Sequence, residues 1–166
     1  MSETVYLCGF MGCGKTTSGK LLAEELNLPY YDMDEYIECA LGMSIPDIFE
    51  EKGEEYFRRR ETEAVAALGE KGGVIACGGG AMLREINAET ARRSGRVIFI
   101  DTPFELCWQR ISGDKGRPIV MRNTKESLEI IYDERYPLYK ANSDACVSGE
   151  GTPAEIVERL KAIVNR

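Results

Sequence analysis

The run Gly9-Phe10-Met11-Gly12-Cys13-Gly14-Lys15-Thr16-Thr17 constrains this chain more than any other segment. It fits G-x-x-x-x-G-K-[ST], follows the β-rich run Thr4–Cys8, and precedes a helical stripe over residues 15–27 carrying Leu21, Leu22, Ala23 and Leu26. A chance glycine-rich turn would lack those flanks. Strand, glycine loop and helix in this order form a phosphate cradle. The glycines let backbone N–H groups turn inward on an anion, and the helix N-terminus adds partial positive charge. Gly12, Cys13, Gly14 and Thr17 build the cradle, Lys15 reaches the transferred phosphate, and Thr16 ligates Mg²⁺. The pattern calls for a nucleoside triphosphate, with ATP as co-substrate and Mg²⁺ as cofactor.

Beyond this loop, strand-like and helix-like runs alternate. Strands are expected over 4–8, 28–31, 74–77, 97–101 and 145–147. Helices are expected over 15–27, 35–41, 54–68, 84–93, 103–111, 125–139 and 153–165, with a short one capped by Ser44 and ended by Gly53. Alternation of this kind implies an α/β fold, a parallel sheet with helices on both faces, and hence three layers. No repeat or linker divides residues 1–166, so one domain is expected, with the polar, aperiodic stretch around 112–123 as a lid. Ligands of such a sheet gather beyond the carboxyl ends of its strands.

The remaining motifs start at those ends. Tyr31-Asp32-Met33-Asp34 ends the second strand. The two aspartates fit an Asx-turn and helix cap; beside a phosphate cradle they gain a second reading. In it Asp32 helps hold the Mg²⁺ hydration shell, and Asp34 accepts a hydrogen bond from an acceptor hydroxyl and takes its proton. Phe57-Arg58-Arg59-Arg60-Glu61 lies on a helix, where Arg58 and Glu61 fit either a solvated i,i+3 pair or an anion site. Gly78-Gly79-Gly80 follows a buried strand, a costly run that points to backbone N–H groups approaching a ligand. Gly113-Asp114-Lys115-Gly116-Arg117-Pro118 reads as the lid, with Arg117 moving onto the triphosphate. In Arg135-Tyr136-Pro137-Leu138-Tyr139 the arginine either complements a helix C-terminus or recognises an anion.

Composition narrows the chemistry. No histidine is present, which removes histidine bases and His-ligated zinc and leaves Asp34 as the candidate base. A net charge of −7 opposes nucleic-acid binding, so positive charge must be concentrated locally to hold phosphates. The six cysteines form no C-x-x-C pair and read as free thiols. No apolar run approaches the ~18 residues of a membrane span, and no basic, cleavable leader precedes the first strand. A cytoplasmic monomer is expected. Arg58, Arg135 and the glycine run add anion recognition beyond what a nucleotide needs, and bidentate arginines suit a carboxylate or phosphate. Asp34 implies a hydroxyl, so the residues together describe transfer from ATP to a hydroxyl on a small acid.

On these motifs, in this order and spacing, the chain resembles the shikimate kinase family over essentially its whole length. The resemblance implies a nucleoside-monophosphate-kinase-like fold with a five-stranded parallel sheet, and ATP-dependent phosphorylation of the 3-hydroxyl of shikimate on the route to chorismate and the aromatic amino acids. It implies that Asp34 binds the reacting hydroxyl, that Arg58, Arg135 and the Gly79 region hold shikimate, and that Lys15 and Arg117 stabilise transfer. Arg110 and, more loosely, Pro153 match residues placed around adenine. Cys13 stands where the family more often has Ser or Ala, raising the expectation of a thiol open to oxidation or alkylation; Met33 and Ile119-Val120 are conservative departures. Three other readings stand beside this one: a related kinase for gluconate or another hydroxy acid, a non-catalytic kinase-like regulatory domain, and a nucleic-acid-binding ATPase. The arginine and glycine set opposes the first, the presence of Lys15, Asp34 and Arg117 the second, and the acidic balance the third.

Overall fold

Residues 3–112 and 124–165 are described by the computed structural model. The chain begins with β1 (Thr4–Cys8), α1 (Lys15–Leu26), β2 (Tyr30–Asp32), α2 (Met33–Leu41), α3 (Ile45–Lys52) and α4 (Glu54–Lys71). It continues through β3 (Val74–Ala76), a 3₁₀ turn (Ala81–Leu83), α5 (Glu85–Arg92), β4 (Gly95–Asp101) and α6 (Phe104–Ser112). The last elements are α7 (Lys125–Ala141), β5 (Ala145–Ser148) and α8 (Pro153–Val164). The five strands form one parallel sheet of order β2-β3-β1-β4-β5, as expected for a chain of βα units.

β1 is buried at all five positions because it is flanked by β3 and β4 and covered on both faces. The chain leaves β1 toward one edge of the sheet and leaves β3 toward the other. Right-handed crossovers therefore send the two connections to opposite faces and open a crevice between these neighbours. Register makes that crevice level: Leu7 and Asp32 both pair with Ala76. The glycine loop, the paired aspartates and the triple glycine consequently leave one edge together. α1 packs on α8 and β3, while α5 packs on α4 and β4. Between these layers Leu7, Leu22, Leu68, Ile75, Ile98 and Leu160 are fully buried.

Several boundaries differ from expectation for local reasons. β2 starts at Tyr30 because Asn27 adopts a left-handed conformation (φ 54°) and Leu28 N–H donates to the Ala23 carbonyl at 2.8 Å, so residues 28 and 29 close α1. α2 begins directly after Asp32, whose carboxylate caps it by accepting from Glu35 N–H at 3.0 Å. α7 runs through Pro137 to Ala141, past the expected end at 139. All six cysteines are free, and Cys8, Cys13, Cys77 and Cys107 are buried. Among the described residues no helix is long and apolar enough to cross a membrane.

Candidate active site

The phosphate cradle is assembled from outside inward. Gly12 (φ 78°) and Gly14 (φ 111°) occupy the left-handed region that favours glycine, and a Cβ on Gly12 would stand 2.8 Å from the Cys107 carbonyl oxygen. The loop is thus pressed onto α6. Thr102 Oγ1 donates to the Cys13 carbonyl at 2.9 Å. Arg110 donates to the Gly12 and Cys13 carbonyls at 3.2 Å each and to the Gly149 carbonyl at 2.8 Å. With these carbonyls engaged and the Cys13 N–H donating to the Phe10 carbonyl at 3.0 Å, the loop is fixed in shape around the cleft. Gly14 caps α1 without a side chain, and the first turn carries no acid, so the positive helix end is presented bare. Lys15 Nζ rests on the Gly9 carbonyl.

Cys13 does not fit the expected reactive thiol. It is 1% exposed, and burial pushes its pKa up despite the neighbouring Lys15 ammonium. A protonated, enclosed thiol is a poor nucleophile.

The triple glycine has a packing role that its sequence did not reveal. Gly78, Gly79 and Gly80 do not adopt positive φ; each instead leaves room for a side chain from another element. A Cβ on Gly78 would stand 2.5 Å from Asp34 Oδ1, one on Gly79 would stand 3.3 Å from Arg135 Nη1, and one on Gly80 would overlap the Arg58 guanidinium. One carboxylate and two guanidiniums from α2, α7 and α4 thereby converge on one turn.

Their surroundings differ. Asp34 is partly buried, and its pKa is raised to about 6 by burial and by the charge of Asp32, against the pull of Lys15 and Arg58. Arg58 donates to Glu61 Oε1 at 3.0 Å, lies 3.5 Å from Glu54 Oε1, and sits over the rings of Phe57 and Phe49 at 5.4 and 5.9 Å. Glu61 is 1% exposed, so the Arg58–Glu61 pair is an interior brace and not a solvated surface pair. Arg84 also donates to the Arg58 carbonyl at 3.2 Å, and Asn87 donates to the Ala81 carbonyl at 2.8 Å, fixing the turn after the glycines.

A cleft of about 830 Å³ joins the two halves. Gly12, Cys13, Gly14, Lys15, Thr16 and Thr17 line it together with Asp32, Asp34, Gly79, Arg135, Arg110 and Ile45. Gly78 lies against Asp34 and Gly80 against Arg58; Arg58, Gly78 and Gly80 do not themselves line the cleft. Pro153 is exposed at the first turn of α8 and does not line the cleft. Arg117 and the lid segment 113–123 lie outside the described residues. Glu61, Thr102 and Tyr139 join the site without having been anticipated. Glu61 had carried a signal, its i,i+3 spacing from Arg58, but its burial is decided by tertiary packing.

Mg²⁺ fits the donors present. Among the described residues no group of three or more His, Cys, Asp or Glu side chains could hold a metal by itself. Thr16 and Asp32 nonetheless line the same cleft, and capping engages only one oxygen of Asp32. Few protein ligands, with phosphate and water completing the shell, are what Mg²⁺ favours.

Comparison with known proteins agrees with this geometry. A family model for shikimate kinase matches residues 11–165. Shikimate kinase from Aquifex aeolicus is 41% identical over 157 residues, covering 94% of this chain and 92% of the relative. The enzyme from Persephonella marina is 42% identical over 160 residues, covering 95% and 96%. Among solved structures, shikimate kinase from Acinetobacter baumannii in complex with shikimate superposes with a TM-score of 0.87 at 36% identity, covering 98% of this chain and 93% of that one.

Proposed function

The chain belongs to the shikimate kinase family, and from that membership we propose how its own residues carry the γ-phosphoryl group of ATP to the 3-hydroxyl of shikimate. The observation that supports these roles is the convergence of the Asp34 carboxylate and the Arg135 and Arg58 guanidiniums on the triple glycine.

The cradle of residues 12–17 holds the triphosphate through backbone N–H groups and the helix end, and Lys15 follows the transferred phosphoryl group. Mg²⁺, held by Thr16 and through Asp32, would neutralise charge on the phosphates when bound. Arg110 has its guanidinium fixed in its own plane by three carbonyls, which leaves its faces for an adenine ring. Pro153 borders that base beyond the Gly149 loop. Arg58 and Arg135 take the shikimate carboxylate, and Ile45 offers an apolar wall to the ring. The 3-hydroxyl donates to Asp34. As its oxygen bonds to phosphorus and the bond to the bridging oxygen of ADP breaks, Asp34 receives the proton. Raised to about 6, that carboxylate is ionised at neutral pH yet more basic than an ordinary one. Arg117 enters on its sequence pattern, stabilising the transferred phosphoryl group with Lys15.

All these groups come from one chain, so a monomer suffices for the reaction. A coupled ADP-release assay with a panel of hydroxy acids tests the acceptor: turnover with shikimate is expected. Turnover with gluconate and none with shikimate would overturn the assignment.

A further inference from the structure

Arg58 is steadied by carboxylates, Glu61 and Glu54. The group lying against Arg135 is a phenol. Tyr139 sits one helical turn beyond Arg135 on α7, is 2% exposed, and donates its hydroxyl to the Gly79 carbonyl at 2.6 Å. The Arg135 guanidinium lies at the same turn, its Nη1 3.3 Å from where a Gly79 Cβ would stand, and its charge acts on the phenol. Burial raises the Tyr139 pKa, and the Lys15 ammonium and the Arg135 guanidinium oppose that rise, so the oxygen lies in the field of both cations. Its ring is fixed against Phe99, with centroids 5.4 Å apart. Three residues on, Asn142 donates to the Met82 carbonyl at 2.9 Å, so the end of α7 is tied to the glycine turn at two points.

A hydroxyl that donates to one partner keeps its lone pairs for another. The proton of Tyr139 is committed to Gly79, which turns its acceptor side toward Arg135. An arginine held this way has fewer orientations to lose when a carboxylate arrives. We propose that Tyr139 is a positioning residue, fixing the Arg135 guanidinium against the Gly79 turn so that the two meet the acceptor carboxylate as one preset surface. This rests on the reading that Arg135 binds the carboxylate of shikimate.

Tyr139→Phe tests it, since the ring and its packing on Phe99 are kept. The expected result is an increase in the shikimate KM of about 10-fold or more, with kcat and the ATP KM changed by less than about 2-fold. In an Arg135→Ala background the same substitution should add almost nothing, because its effect passes through Arg135. A purely structural tyrosine would lower the melting temperature, leave the shikimate KM alone, and add fully to Arg135→Ala; either kinetic result overturns the proposal. Should Tyr139→Phe fold poorly, 3-fluorotyrosine at position 139 supplies a second reading. Its ¹⁹F resonance should move when shikimate is added and stay put in the Arg135→Ala protein. A resonance indifferent to shikimate overturns the proposal. No turnover of shikimate by the unmodified enzyme would overturn the acceptor assignment and this proposal with it. Normal turnover together with an unchanged KM in Tyr139→Phe overturns this proposal alone.

Discussion

The Asp34 carboxyl titrates at about 6 in the folded protein, against an ordinary value of 3.8. Between those values the folded state still binds a proton that the unfolded chain has released. Stability therefore falls as pH rises from about 4 to about 6 and stays reduced above that range. A gap of about two pH units, at about 1.4 kcal/mol each, corresponds to about 3 kcal/mol. Asp34 is only partly buried, and solvent screening brings the expected effect to about 1–3 kcal/mol. Asn has nearly the same shape and does not titrate. Asp34→Asn should accordingly be more stable than the unmodified protein by about 1–3 kcal/mol at pH 7.5, with a melting temperature higher by about 3–10 °C. At pH 4 the gain should be nearly gone, because Asp34 is then protonated in the folded protein as well. Turnover should fall by about 10²-fold or more, since the base is lost. Urea titrations of both proteins at several pH values from 4 to 8 measure the stability difference directly. A difference that does not change with pH, or a variant less stable at pH 7.5, would refute the claim that burial and Asp32 raise this carboxyl.

Further expectations follow from the same geometry. In kcat/KM for shikimate, the acid limb should bend near pH 6, where Asp34 loses its basic form; a limb near pH 4 would contradict its raised pKa. Gly80→Ala should displace Arg58 and raise the shikimate KM by about 10-fold or more while the ATP KM holds, and equal loss for both substrates would remove Arg58 from the acceptor site. Alkylation of the native protein should label Cys39 and Cys146, the two exposed thiols, and leave Cys13 unlabelled; mass spectrometry of the peptides reads this, and rapid labelling of Cys13 would contradict its burial.

Features that depend on neighbours in sequence were legible before the fold was known. The cradle, the cap at Ser44, and the alternation of strands and helices each follow from spacing within one or two elements. Glu61 and Tyr139 were not, because nothing local separates a braced side chain from a solvated one. Cys13 shows the same limit in reverse: its place in the loop pointed to an accessible thiol, whereas packing encloses it. The triple glycine marks where local reasoning stops. That three glycines were needed after β3 could be read from their entropic cost. That they also make room for side chains could not, because those side chains come from α2, α4 and α7. Each glycine lies against a particular side chain, Gly78 and Gly80 more tightly than Gly79. A Cβ on Gly78 or Gly80 would force Asp34 or Arg58 to shift, whereas one on Gly79 would press only lightly on Arg135. The distances between the base and the two guanidiniums are thus set by a stretch of chain that carries no functional side chain of its own.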